Sequence, residues 1–589
     1  MQKIRNTGFV VLAISSFFFW AAGCKDNYLD VPPKDRIVAS KFFKTVNDLS
    51  TYTNGFYNMI PSEDLYFRDS KSDNLLPFVI DKKITGSRIV PTDRGSGGWS
   101  WSNLRKINYF LENYTRVEDN DALPYYGGLA KFFRAWFYYI KVKEFGDVPW
   151  YGHVLKPDDS ALYKSRDPRT LVMDSVLADI NYAIENLPME KDLYGITGYT
   201  ALLLKARICL FEGIFRLYHS ELNLQETSDE WLNEAATAAS TLMASGAYRL
   251  YTEGGPNACY RELFARGNQD VTETILARNY EHNIVQQNVA SYMTALTHGG
   301  WGMTQDMINS YLMMDGSRFT DNSDYQTTEF YEEMQNRDPR LTQTTAGPNY
   351  MNYGEDVRAP VNLDMASTGY RLIKALPSKD QWGGNASYND IIIFRYAEAL
   401  LIYAEAKAEL GEITQQDLDL SINKLRDRVA MPHLDLAWAN NHPDPYLEEA
   451  YPNVSQGANK GVILEIRRER RIELFNEGYR WDDLMRWKEG KKIEQPMVGI
   501  YFSGLGAYDF NNDGTADVYL YDGDRSGAPA GVTSFIDIKE RPLTEGNKGH
   551  LNPFAKGGTF VEPRDYYYPI PIEDLNLNTR LEQNPGWED

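Results

Sequence analysis

Residues 394–406 run Phe394-Arg395-Tyr396-Ala397-Glu398-Ala399-Leu400-Leu401-Ile402-Tyr403-Ala404-Glu405-Ala406, inside a longer apolar stretch from Ile391 to Leu410. The periodicity predicts one long helix. Ala397, Ala404 and Ala408 are small enough to let a second helix approach closely, and Glu398 and Glu405 lie seven apart on one face. A second long helical stretch, Gly461 to Lys488, offers Arg467, Arg470 and Arg471 with Glu469 and Glu473 interleaved. Carboxylate–guanidinium pairs between two such helices are charge-assisted and often bidentate. Buried, they fix register more than they add net stability.

The same periodicity recurs upstream. Val46, Leu49, Thr53, Phe56, Tyr57 and Ile60 form one stripe, and Leu104, Ile107, Leu111 and Tyr114 another. Leu129 to Ile140, Met173 to Leu187, Leu202 to Leu217 and Trp231 to Met243 follow, the second of these stripes ended by Pro188 and the last by Ser245-Gly246. These helices come in adjacent pairs. Ala201, Ala206, Gly213, Ala235 and Ala239 sit where stacked pairs need close approach. The expected class is mainly α: TPR-like helix pairs, an α-solenoid-type scaffold. Large loop-rich inserts interrupt it around residues 62–101, 250–390 and 495–565. Loops of that length carry function or small folds of their own.

Composition narrows the function. The chain has 589 residues, 43% hydrophobic and 24% charged, so it folds. Its formal net charge of −21 repels phosphate backbones and argues against nucleic acid as a partner. Forty Tyr, 26 Phe and 12 Trp beside many Asp and Asn suit a wet, amphipathic binding surface, or a large aromatic core. Three cysteines, Cys24, Cys209 and Cys259, exclude a disulfide framework and any CxxC motif, while a Cys209–Cys259 bridge stays open. The seven His are scattered, and HExxH, GxSxG and P-loop motifs are all absent. No catalytic residues are assigned. The enzyme-class rival is a secreted glycosidase, which needs only two carboxylates.

The N-terminus reads as an address. Lys3 and Arg5 precede an apolar run from Phe9 to Trp20, then Ala21-Ala22-Gly23 and Cys24. Residues 1–23 are therefore expected to be a lipoprotein signal peptide, and 24–589 the mature protein. Cys24 resembles the acylated cysteine of a lipobox, although Ala21 replaces the usual Leu. Lys25-Asp26 resembles the tag that sends such lipoproteins to the cell surface in Bacteroidetes. Two or three acyl chains anchor a protein stably where one does not.

Five segments, in order, resemble the SusD/RagB family of outer-membrane nutrient-binding lipoproteins. They are Cys24 with Tyr28-Leu29-Asp30 and Pro32-Pro33; Phe133-Arg134-Ala135-Trp136 running to Phe145-Gly146-Asp147-Val148-Pro149; residues 394–406; residues 466–487, through Gly478-Tyr479-Arg480-Trp481; and Tyr568-Pro569-Ile570-Pro571 with Asn584-Pro585-Gly586-Trp587. The resemblance implies a non-catalytic, lipid-anchored protein on the extracellular face of the outer membrane. It implies a lid over a SusC-like TonB-dependent transporter that captures an oligosaccharide, or in some members a peptide.

Sugar sites combine flat aromatic faces with planar polar groups. Trp99 and Trp101 lie in the Gly/Ser-rich stretch GSGGWSWSN, downstream of Asp69, Asp73 and Asn74 in the same insert. By analogy with the family, the loops midway along the chain supply a second set: His298, Trp301, Tyr370, Arg371 and Trp382. Separately, Asp509, Asn511, Asp513, Thr515 and Asp517 occupy positions 1, 3, 5, 7 and 9 of an EF-hand-type loop, with Gly514 at position 6. Leu520 stands where the bidentate Glu belongs, with Asp522 or Asp524 as replacements. The loop reads as a structural Ca²⁺ site or as an Asx-rich turn.

Overall fold

The computed structural model describes residues 42–295 and 299–588. The helical stripes become α1 (Ser102–Leu111), α2 (Leu123–Phe145), α3 (Arg169–Asn186), α4 (Gly198–Tyr218) and α5 (Ser228–Ala244). Later in the chain come α6 (Tyr396–Glu409), α7 (Lys460–Glu473) and α8 (Arg480–Arg486). Local sequence sets their ends. Pro124 opens α2 and Gly146, at φ 71°, closes it. Thr197 caps α4 in a box with Thr200. Leu187 leaves α3 in an extended conformation, as the residue before Pro188 must.

The helices pack as neighbouring pairs, α2 on α3 and α4 on α5, with α5 then meeting α6 and α6 meeting α7. The small residues sit where expected: Ala201, Ala206, Ala235 and Ala239 are fully buried. At Gly213 an added Cβ would lie 2.9 Å from Leu232 Cγ, so α4 and α5 meet this closely only because Gly stands there.

Two expected long helices are shorter than their apolar runs. Ile391–Arg395 is a strand, pairing antiparallel with Thr274–Arg278, and α6 starts only at Tyr396. Three consecutive Ile favour the pleated surface over the helix. The stretch from 461 to 488 breaks between α7 and α8, where Asn476 (φ 60°) and Gly478 (φ 78°) turn left-handed. A Cβ on Gly478 would lie 2.9 Å from the Leu65 carbonyl oxygen, so this turn also needs a glycine.

In chain order the strands are β1 (Leu75–Leu76), β2 (Thr274–Arg278), β3 (Gly302–Met303), β4 (Ile391–Arg395), β5 (Tyr501–Phe502), β6 (Gly506–Tyr508), β7 (Val518–Tyr521), β8 (Ser534–Asp537) and β9 (Gly549–His550). β1 pairs with β3, whose Gly302 also bridges to Arg371, so three distant segments meet in one small ladder. β6, β7 and β8 form a sheet of their own, antiparallel then parallel.

Charge pairs lock the core, with partners other than the expected ones. Glu398 holds Arg207 of α4 bidentately at 2.6 and 2.7 Å. Glu405 holds Arg486 of α8 at 2.7 and 2.8 Å. Arg467 does face α6, at Glu409 Oε1 3.5 Å away, while Arg470 turns mainly to Asp483, and Arg471 to Asp73 and Asp306. Glu473 of α7 receives Arg340, Arg395 and Arg428, all buried. Cys209 and Cys259 are buried free thiols.

Candidate functional site

The first insert splits into a core-facing half and a solvent-facing half. Asp69, Asp73 and Asn74 are buried, Asp73 at the edge of a separate cleft of about 470 Å³. Asp69 accepts from the Asn476 amide at 2.8 Å, and burial pushes its carboxyl up to about 6. Asp73 meets Arg480 at 2.7 Å through both its oxygens and Arg471 at 2.9 Å. Burial opposes its ionisation, but these guanidinium groups outweigh that and hold the carboxyl at about 2. Asn74 Oδ1 accepts from Arg471 Nε at 2.8 Å. Asp73 and Asn74 fix the insert to α7 and α8, and Asp69 fixes it to the turn between them. Sequence could not separate this from ligand binding, because the arginines lie some 400 residues away.

Trp99 is likewise core, 2% exposed and edge-on to Phe145 at 4.8 Å. Trp301 packs on Phe67 at 4.5 Å and stacks with Tyr292. Tyr370 is buried, its single hydroxyl proton shared between the Gln305 Oε1 and Glu333 Oε2 acceptors, the latter at 2.7 Å. His298, Cys24 and residues 1–23 lie outside the described residues.

Trp101 is different. It precedes α1 as its N-cap residue and is half-buried in the wall of a cleft of about 680 Å³, which the more deeply buried Trp99 also borders. Its ring meets Trp99 at 5.3 Å, Phe137 at 5.7 Å and Tyr151 at 5.7 Å. Arg105, His153, Tyr163, Asp574 and Asn578 line the rest. Tyr163 is 51% exposed at the rim. Arg105 Nη1 donates to the Leu155 carbonyl at 2.7 Å, and Asn108 Nδ2 to the Tyr151 carbonyl at 2.7 Å, so the floor is fixed. The cleft offers aromatic faces with a guanidinium, an imidazole and amides beside them, suited to stacking on a sugar ring and pairing with its hydroxyls. Sequence reading found Trp101 but missed Tyr151, Tyr163, Arg105 and His153. The Pro149-Trp150-Tyr151 run was the available signal for Tyr151.

Arg371 and Trp382 do meet, away from that cleft's lining. The Arg371 guanidinium lies 5.4 Å from the Tyr350 ring and 5.4 Å from the Trp382 ring. Arg261 sits on the other contact of Tyr350, at 5.2 Å. Arg371 is 6% exposed, yet its Nε and Nη2 have no hydrogen-bond partner, and the same atoms of Arg261 have none. Burial lowers the pKa of both guanidinium groups, and Arg261 lowers that of Arg371 further. Two unpaired donors framed by aromatic rings are an uncommon buried arrangement.

The Asp509–Asp517 segment is the turn between β6 and β7, so strands, not helices, flank it. Asp513 is paired with Arg358. Among the described residues, no three His, Cys, Asp or Glu side chains are gathered round one point.

A model of the SusD family matches residues 263–587, more than half of the chain. The chain belongs to the SusD family. SusD-like protein P38 of Formosa agariphila is 23% identical over 85% of this chain and 95% of its own length. A SusD-like protein of Bacteroides ovatus is 21% identical over 99% of both chains. Among solved structures, a SusD-like protein from Bacteroides fragilis superposes with a TM-score of 0.68 at 21% identity, covering 94% of this chain and all of that one. A SusD-like carbohydrate binding protein from the same species gives 0.67 at 20% identity, covering 92% of this chain and all of that one. A laminarin binding SusD-like protein gives 0.53 at 18% identity, covering 92% of this chain and all of that one. These superpositions establish the SusD-like fold. The stretch matched by the SusD model contains Arg371, Trp382 and the Glu473 cluster, and leaves out Trp101.

Proposed function

We propose that this SusD-family protein captures oligosaccharides without cleaving them and hands them to a SusC-like TonB-dependent transporter, over which it closes as a lid. Acylated Cys24 holds it on the outer face of the outer membrane. The observation that carries the reading is the cleft under Trp101, where aromatic faces and planar polar groups converge. The carbohydrate-binding and laminarin-binding relatives support the ligand class. Among the described residues no helix is long and apolar enough to cross a membrane, which fits attachment by lipid. Delivery follows from linkage: bound ligand drives closure only to the extent that it binds the closed state more tightly than the open one.

Affinity electrophoresis over a panel of neutral and acidic polysaccharides tests the ligand class. Retardation by at least one glycan, with no reducing ends released, is expected. Binding only to a peptide library overturns the glycan reading in favour of a peptide-binding lid, and release of reducing sugar in favour of a glycosidase. Copurification of an outer-membrane β-barrel after detergent extraction tests the lid; recovery of the protein alone refutes it.

A further inference from the structure

We infer that Arg261 and Arg371, which share the ring of Tyr350, form a subsite for an oxyanion: the carboxylate or sulfate ester of an acidic glycan. This names the ligand class and rests on the glycan reading, but it places the acid group apart from the Trp101 cleft. Unmade hydrogen bonds carry it. Nε and Nη2 of Arg371 and Nε and Nη2 of Arg261 are shut from solvent, and none of the four donors has a partner. The rings beside them stabilise positive charge but supply no acceptor. Buried donors are nearly always satisfied, so four on two neighbouring cations point to an absent acceptor.

Both arginines are built in place. The Arg371 carbonyl accepts from the Ala346 amide and the Thr345 hydroxyl, each at 2.9 Å, and its backbone bridges to Gly302. Arg261 stands in the short helix Cys259–Ala265, and its Nη1 donates to the Met351 carbonyl at 2.9 Å. The two charges act on each other, since Arg261 lowers the pKa of Arg371. Glu262 offsets part of the burial of Arg261, but its carboxylate already accepts from the Tyr353 hydroxyl at 2.8 Å. An oxyanion would remove the repulsion and fill the donors together, and the guanidinium fork fits paired oxygens. Tyr350 and Trp382 beside the pair suit the sugar ring that bears the acid. Both rings belong to irregular chain. Tyr350 stands in residues 345–362, outside the helices and strands, and Trp382 follows the turn Lys379–Gln381 and precedes Gly383-Gly384. Ligand entry therefore displaces a loop and leaves the helical scaffold undisturbed.

The test uses the full folded chain at fixed ionic strength. Affinity electrophoresis compares polygalacturonate with its methyl ester, and dextran sulfate with dextran; calorimetric titration uses glucuronate and sulfate as free anions. At least one charged polymer is expected to retard the protein about tenfold more strongly than its neutral partner. Arg371→Gln and Arg261→Gln are each expected to remove most of that preference. Arg371→Lys, which keeps the charge without the fork, is expected to retain only part of it. Equal binding of charged and neutral members overturns the inference and leaves the glycan reading standing. Binding to no polymer refutes the glycan reading, and the free anions then decide the subsite. A glucuronate or sulfate response that Arg371→Gln abolishes supports it, and no response overturns it. A preference for charge that survives both Gln variants overturns it as well.

Discussion

Replacing Glu473 by Gln removes one buried negative charge and almost no volume. Glu473 is fully buried and meets Arg428 Nη2 at 2.6 Å, Arg395 Nη1 at 2.7 Å and Arg340 Nη1 at 3.1 Å. The three arginines are not equally dependent on it. Arg340 keeps Asp338 and Glu469, and Arg395 keeps Glu477 and Glu273. Arg428 keeps only Glu273 at 3.6 Å. One guanidinium is therefore left nearly uncompensated in the core, at a cost of about 3–5 kcal/mol. Spread over roughly 550 folded residues at ~2.1 cal/mol/K each, that lowers Tm by about 3–4 °C if unfolding is cooperative.

The pH dependence supplies a second reading of the same variant. Burial opposes the charge on Glu473, but Arg428, Arg395 and Arg340 outweigh it and hold the carboxyl well below 4.5. A depressed carboxylate gives its full stabilisation above its unfolded pKa and loses it as pH falls toward the folded value. The gap between unmutated protein and Glu473→Gln is thus constant from pH 7 to about 5 and narrows below about 4.5. Calorimetry with urea unfolding at pH 7, 5 and 3.5 measures it. The exposed-pair control Glu545→Gln, whose partner Lys548 is also exposed, is expected to change stability by less than about 1 kcal/mol. A Tm within 1 °C of the unmutated protein at pH 7, or a gap that does not narrow in acid, refutes the argument.

Two further outcomes follow from burial. Trp99→Ala is expected to cost about 3–5 kcal/mol and Trp101→Ala much less, while only Trp101→Ala weakens glycan retardation about tenfold or more; equal melting losses with intact binding would make both rings packing. Burial raises the Glu489 carboxyl to about 7 despite Arg467 and the Asn453 amide. A raised carboxyl takes up protons on folding, so stability falls as pH rises from about 4.5 through 7. Glu489→Gln should then melt higher than the unmutated protein at pH 8 and equally at pH 4, and a lower melting temperature at pH 8 would count against it.

Much of the scaffold was legible because helical periodicity, small residues and turn signals act over a few residues. Gly213, Ala235 and Ala239 do in space what their spacing announces. Where periodicity failed, a local competitor won: three Ile at 391–393 went to a strand, and Asn476 and Gly478 broke the later helix. The site was less legible. Asp73 and Trp99 sit in a polar, Gly-rich insert and still serve the core, because partners from α7, α8 and α2 arrive from far along the chain.

Residue order by itself determined the helix-pair class, the family resemblance and the nine-residue Asp/Asn turn, since each is written in consecutive residues. Tertiary structure alone decided which carboxylates are ion-paired locks, which tryptophan is buried and which stays half-buried at the cleft, and that Arg261 and Arg371 both face the Tyr350 ring. Desolvation and Coulomb attraction depend on distances in space, and sequence separation does not encode those distances.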